Sequence, residues 1–178
     1  MNLYLSGMIG SGKTTIGRGL CSRLGLEFRD LDQEMDRRLG YSFHRLVAEE
    51  GWLAFRELEY RICKDFSRDR GCIVCLGGGT IRYEWNRDIF RGTGIMMLLE
   101  ADEQTLIERV SRADRPRVNQ DTDLAGDVRK MWEMYADRYR SAADIIYRTD
   151  RKTIDQEIDE LTDLIRNDER FSGMKEWM

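Results

Sequence analysis

The stretch Gly7-Met-Ile-Gly-Ser-Gly-Lys-Thr14 decides how this chain is read. It fits the spacing G-x-x-x-x-G-K-[ST] at every fixed position. An apolar strand, Asn2-Leu-Tyr-Leu5, precedes it, and a helix over Thr14–Leu24 follows, with Ile16, Leu20 and Leu24 four apart on one face. Glycines let backbone N–H groups curl around an anion, and the helix N-terminus adds its partial positive charge. Gly10, Ser11, Gly12 and Thr15 form the body of this cradle. Lys13 is placed to reach the β- and γ-phosphates of a nucleoside triphosphate, and the Thr14 hydroxyl to ligate Mg²⁺.

Outward from this loop, short apolar runs alternate with helical patterns. Glu27-Phe-Arg29, Cys72-Ile-Val-Cys-Leu76, Ile95–Leu99 and Ile145-Ile-Tyr147 read as further strands. Helices are expected over most of 32–68, broken at Gly40 and Gly51, and near 85–90, 102–110 and 125–141. Thr153-Ile-Asp-Gln156 resembles a capping box opening a last helix, with Ile154, Ile158, Leu161 and Ile165 turned inward. Continuous apolar strands alternating with helices imply an α/β fold, a five-stranded parallel sheet in three α/β/α layers. Ligands of such sheets bind beyond the strand C-terminal ends. The glycine loop, Asp30-Leu-Asp32 and Gly77-Gly-Gly79 all fall there and are expected to share one crevice.

The 178 residues suit one domain, with no internal repeat or linker, and a tail over 167–178 with no clear period is expected to be loosely attached. Charged residues make up 35% and the net charge is −4, so no global basic field draws the chain to nucleic acid or to an anionic membrane. No apolar run approaches the roughly 20 residues of a membrane span. The first strand begins almost at Met1, which leaves no room for a signal peptide, and a cytoplasmic location is the expectation. Cys72-Ile-Val-Cys75 has a metal-like spacing, but it lies inside an apolar strand with no second pair, and reads as buried packing. The one histidine, His44, reads as an ordinary helix residue.

Other groups are ambiguous singly. Asp30 and Asp32, two apart at a strand end, would point the same way and divide between a metal and a substrate proton, or form a solvated turn or helix cap. Arg56 with Glu59 three residues on could be a surface helix pair. The triple glycine says that something approaches the backbone closely. Arg109, Arg112, Arg115 and Arg117 are either a solvated run or a cover bringing cations onto phosphates.

Together these motifs resemble the shikimate kinase family over nearly the whole chain. The resemblance rests on the order of Gly7-Met-Ile-Gly-Ser-Gly-Lys-Thr-Thr15, Asp30-x-Asp32, Gly51-x-x-x-Phe55-Arg56-x-x-Glu59, Gly77-Gly-Gly79 with Arg87 downstream, Arg115-Pro116, and Tyr139-x-x-x-Ala143-Asp144. It implies a P-loop NTPase fold of the nucleoside monophosphate kinase type. It also implies transfer of the ATP γ-phosphoryl group to the 3-hydroxyl of shikimate, with Mg²⁺. On that resemblance Lys13, Asp32 and Arg115 are the catalytic residues, Asp32 holding the acceptor hydroxyl and taking its proton. Asp30 would support Mg²⁺ through water, beside Thr14. Arg56 would pair with the shikimate carboxylate, the backbone at Gly77, Gly78 and Gly79 would touch the substrate, and residues 33–62 would form the substrate-binding helices. Arg115 would belong to a lid over 111–123. Arg109 would lie against the adenine, with the loop at Asp150-Arg151 on its other side. The expected partner is a small molecule and the expected state a monomer.

Two positions depart from the family pattern. An arginine that joins Arg56 on the carboxylate is expected four residues before Tyr139, where this chain has Tyr135. Either Arg138, three residues later on nearly the same helix face, substitutes for it, or binding relies on Arg56 with a neutral hydrogen bond from the Tyr135 hydroxyl. After Arg115-Pro116 the family has leucines, whereas here Arg117-Val118 follow. Two further readings stay open at this point: a P-loop kinase of another small hydroxy acid or sugar acid, and a catalytically silent nucleotide-binding protein.

Overall fold

The structure, a computed structural model, describes residues 1–112, 123–150 and 152–178. Five strands, β1 (Asn2–Ser6), β2 (Glu27–Asp30), β3 (Cys72–Cys75), β4 (Gly94–Glu100) and β5 (Ile145–Arg148), form one sheet in the order β2-β3-β1-β4-β5. All four pairings are parallel, with Leu3 opposite both Ile73 and Ile95. Parallel neighbours require crossovers, and helices supply them: α1 (Lys13–Leu24), α2 (Leu31–Leu39), α3 (Phe43–Phe66), α4 (Glu84–Phe90), α5 (Glu103–Ser111), α6 (Leu124–Ala142) and α7 (Ile154–Asn167).

The period of two along the central strands separates the core into two layers. Tyr4, Val74, Met96 and Leu98 pack against α2 to α6 through Leu31, Met35, Phe55, Phe90, Leu106 and Tyr139. Leu3, Leu5, Ile73, Cys75, Met97 and Leu99 pack against α1 and α7 through Ile16, Leu20, Leu161 and Ile165. The four cysteines are reduced and buried, Cys63 and Cys72 in the first layer and Cys21 and Cys75 in the second. Burial pushes every thiol up, Cys21 to about 12 and Cys63 and Cys75 well above the ordinary range. Among the described residues no helix is long and apolar enough to cross a membrane.

Two expectations need correcting. Residues 169–177 are not loosely attached. They form a 3₁₀ segment, Glu169–Trp177, that buries Phe171 and Met174 fully against the α1/α7 layer. Trp177 also closes onto Gly71, where an added Cβ would stand 2.5 Å from the indole. The two anchors are too few and too unevenly spaced to make a period in sequence. At the capping box the expected reciprocal bonds form, but Ile154, the first residue of α7, is 37% exposed, leaving Ile158, Leu161 and Ile165 as the buried stripe. Phe171→Ala is therefore expected to cost about 3–5 kcal/mol and to lower Tm by on the order of 10 °C, read by thermal denaturation. A Tm within a degree of wild type would mean that the tail does not stabilise the fold.

Candidate active site

The phosphate loop crosses the C-terminal end of β1. Gly10 and Gly12 take φ of 84° and 93°, a left-handed backbone that glycine adopts without strain and that curls the loop. The N-cap of α1 is Gly12, which has no side chain to cap the helix. Lys13 folds back over the curl, its Nζ donating to the carbonyls of Gly7 at 2.7 Å and Met8 at 2.9 Å. Among the described residues the buried Ser11 hydroxyl has no hydrogen-bond partner, and Thr15 is exposed one residue into the helix beyond Thr14.

At the end of β2 the two aspartates divide. Asp30 caps α2: its Oδ1 accepts from the backbone N–H of Asp32 at 3.1 Å and of Gln33 at 3.2 Å. Its other oxygen, Oδ2, accepts from the Thr14 hydroxyl at 3.0 Å. Asp32 lies in the first turn of α2, not on the strand, so the two-residue strand alternation does not govern where it points. The cap turns the chain, and Asp32 reaches the glycine strip instead.

That strip is where the elements meet. An added Cβ at Gly77 would stand 3.1 Å from Asp32 Oδ1, and one at Gly78 would stand 3.4 Å from the backbone nitrogen of Ile9 in the phosphate loop. One at Gly79 would stand 3.0 Å from Arg56 Nη2 and closer still to Arg82 Nη2. None of the three glycines has a positive φ, so the need here is for space. Tyr139, from α6, donates its hydroxyl to the Gly78 carbonyl, and burial pushes its phenol up to about 12 although Arg82 and Arg56 pull the other way. Asp144, the last residue of the same motif, accepts from the Met96 N–H at 2.7 Å and so ties β4 to the end of α6.

Arg56 is not a surface helix pair. Its Nη1 donates at 2.7 Å to Glu59, a carboxylate with no exposed surface. Glu59 also accepts from the Thr80 hydroxyl at 2.8 Å and from Asn86 Nδ2 at 3.1 Å. A buried carboxylate held by three donors fixes the guanidinium it pairs with. Tyr83 covers the Arg56 guanidinium with its ring centroid 4.6 Å away. In sequence Glu59 reads only as the partner of Arg56 in a surface pair, and Arg82 goes unnoticed; it sits at the end of the Thr80–Arg82 turn with its guanidinium 4.7 Å from the Tyr135 ring centroid. The available signal was a lone arginine three residues after the triple glycine. Arg138 is exposed and does not join Arg56; its Nη1 donates to the Arg82 carbonyl at 3.1 Å.

On the other side of the loop Arg109, from α5, donates to Thr149 through Oγ1 at 3.0 Å and through the carbonyl oxygen, bridging the phosphate loop and the end of β5. Glu157, fully buried, faces it at 4.0 Å, and among the described residues neither of its oxygens has a hydrogen bond. Burial pushes this carboxyl up to about 6, against the pull of Arg109 and Lys152. Arg115 and Arg151, and most of the expected lid over 111–123, lie outside the described residues.

A parallel sheet with a phosphate loop after its first strand, a carboxylate bonded to the helix that carries Lys13 and a second carboxylate beside the glycine strip is the arrangement of an ATP-dependent kinase of the P-loop class. The chain matches the family model described as shikimate kinase over residues 9–166. It is 36% identical to a shikimate kinase of Chlorobium luteolum over 168 residues, 90% of this chain and 83% of that protein. It is 30% identical to one of Chromobacterium violaceum over 162 residues, covering 91% and 88%. Among solved structures, shikimate kinase from Acinetobacter baumannii in complex with shikimate superposes with a TM-score of 0.87 at 27% identity, covering 94% of each chain. The enzyme from Aquifex aeolicus superposes at 0.77 and 27%, covering 90% and 94%. The chain belongs to the shikimate kinase family.

Proposed function

We propose that this protein transfers the γ-phosphoryl group of ATP to the 3-hydroxyl of shikimate, giving ADP and shikimate 3-phosphate. The observation that carries the reading is the glycine strip, which brings the phosphate loop, the Asp32 carboxylate and the Arg56 guanidinium to successive residues of one tripeptide. Asp32 positions the hydroxyl and accepts its proton as the new O–P bond forms. The bond from the γ-phosphorus to the β,γ-bridging oxygen breaks, and Lys13 with the N–H groups of Gly10, Ser11, Gly12, Thr14 and Thr15 holds the charge that collects on the phosphate oxygens.

Thr14 Oγ1 and Asp30 Oδ2, held 3.0 Å apart, are the hard oxygen donors that suit Mg²⁺, which keeps several waters and binds few protein groups. Thr14 would hold the ion directly and Asp30 through water, and the ion would neutralise phosphate charge. Arg56 pairs with the acceptor carboxylate, the backbone of Gly77, Gly78 and Gly79 lies along the acceptor, and Arg109 flanks the nucleotide base. Arg115 and Arg151 are proposed at the phosphates and the base from the family pattern alone.

An assay coupling ADP release to NADH oxidation, with shikimate as acceptor, tests this. Shikimate-dependent turnover with a phosphorylated product is expected. ATP hydrolysis that ignores shikimate at millimolar levels, with another hydroxy acid accepted from a panel, would overturn it.

A further inference from the structure

We propose that Arg82 is the second guanidinium of the acceptor site, binding the acceptor carboxylate together with Arg56 in the position that neither Tyr135 nor Arg138 fills. The proposal rests on the shikimate reading above and specifies how the acid is recognised.

Two arginines from different elements, α3 and the turn after the glycine strip, direct their Nη2 atoms at the same point, the open side of Gly79. Their other contacts explain why they remain there. Arg56 spends Nη1 on Glu59, and among the described residues its buried Nε has no hydrogen bond. Arg82 spends Nε on the Gly79 carbonyl at 3.4 Å and lays its guanidinium on the Tyr135 face at 4.7 Å. Among the described residues no carboxylate lies within ion-pair distance of Arg82. Glu59 therefore offsets one of two adjacent positive charges and leaves a net cation. Such a pair is costly unless an anion shares it, and two N–H donors converging from separate arginines suit the two oxygens of a carboxylate.

The strip also sets the size of the acceptor. Asp32 stands at Gly77 and the arginine pair at Gly79. Two residue steps of extended chain span at most about 7 Å. A hydroxyl at one end and a carboxylate at the other thus fit one small ring, and a longer acid overshoots. Arg138 serves this arrangement without touching the acid. Its bond to the Arg82 carbonyl ties α6 to the turn, as Tyr139 ties α6 to Gly78. Tyr135, in turn, gives up the role of a cation and becomes the surface on which Arg82 rests.

Steady-state kinetics with shikimate and with its uncharged carboxamide tests the assignment. Arg82→Ala is expected to raise the KM for shikimate about ten- to a hundredfold while kcat stays within about threefold and the KM for ATP is unchanged. The preference of the wild-type enzyme for the acid over the carboxamide is expected to fall by the same factor. Arg82→Lys keeps part of it, since a point charge replaces the fork, and Arg138→Ala, which loses only a tie to the turn, changes the preference less than Arg82→Ala does. If Arg82→Ala alters the Tm, Arg82→Gln supplies the comparison with less loss of packing. An unchanged acid-to-carboxamide preference in both folded Arg82 variants, or the large KM effect appearing in Arg138→Ala instead, would overturn the proposal while leaving the shikimate reading intact. A wild-type enzyme that does not use shikimate would sink both.

Discussion

Lys13→Ala is expected to reduce turnover by about a thousandfold or more in a protein that stays folded. A single neutral donor aimed at developing charge is worth about 10²–10³ in kcat, and Lys13 brings a full charge. Its Nζ sits on the carbonyls of Gly7 and Met8 in the phosphate loop. Those two bonds are worth only about 1 kcal/mol each to the fold, and the side chain fills no core space, so Tm is expected to drop by a few degrees at most. Turnover is read from the coupled assay and folding from circular dichroism. Near-wild-type turnover in the folded variant would remove the loop from the chemistry.

Asp32→Asn is expected to lower kcat by roughly 10²–10⁴ with little change in the affinity for ATP. The amide keeps the volume and an oxygen acceptor, so the first turn of α2 and its contact with Gly77 persist. What is lost is the basicity that takes the acceptor proton. The phosphate loop meets the strip one residue away, at Gly78, and Asp30, not Asp32, bonds Thr14. Binding of ATP, measured by fluorescence or calorimetry, thus separates from the rate. A variant that retained wild-type kcat would show that Asp32 is not the base.

The order and type of the strands and helices were readable because the three central strands β1, β3 and β4 are short, apolar and almost entirely buried, and most helices begin after a glycine or a capping residue. Leu3 and Tyr4 show why: neighbours in sequence that are both apolar and face opposite layers. The loop was equally legible, since backbone geometry at Gly10 and Gly12 leaves few alternatives. What escaped reading depends on tertiary contact. Asp30 was weighed as a cap or as a site residue, and it caps α2 while also bonding Thr14. Its capping geometry moves Asp32 off the strand, a change of direction that spacing cannot report. Arg138 has the right helical spacing from Tyr135, but it is exposed and bonds the Arg82 carbonyl, while the Arg82 guanidinium lies over the Tyr135 ring, contacts that helical spacing does not report. The docking of the tail depends on Phe171 and Met174 meeting α1 and α7, two contacts with no periodic signature.

The burial of all four thiols gives the protein a built-in means of watching its two layers come apart. Protonated and enclosed, they are slow targets for alkylating reagents, which attack the thiolate. Cys63 belongs to the layer that carries the glycine strip and α6, and Cys75 to the layer under α1 and the tail. Labelling at Cys63 therefore requires an opening of the acceptor half, and labelling at Cys75 an opening of the nucleotide half. Mass spectrometry of the chain after a pulse of iodoacetamide, with and without ATP or shikimate, reads the two openings separately, and no residue has to be introduced to do it.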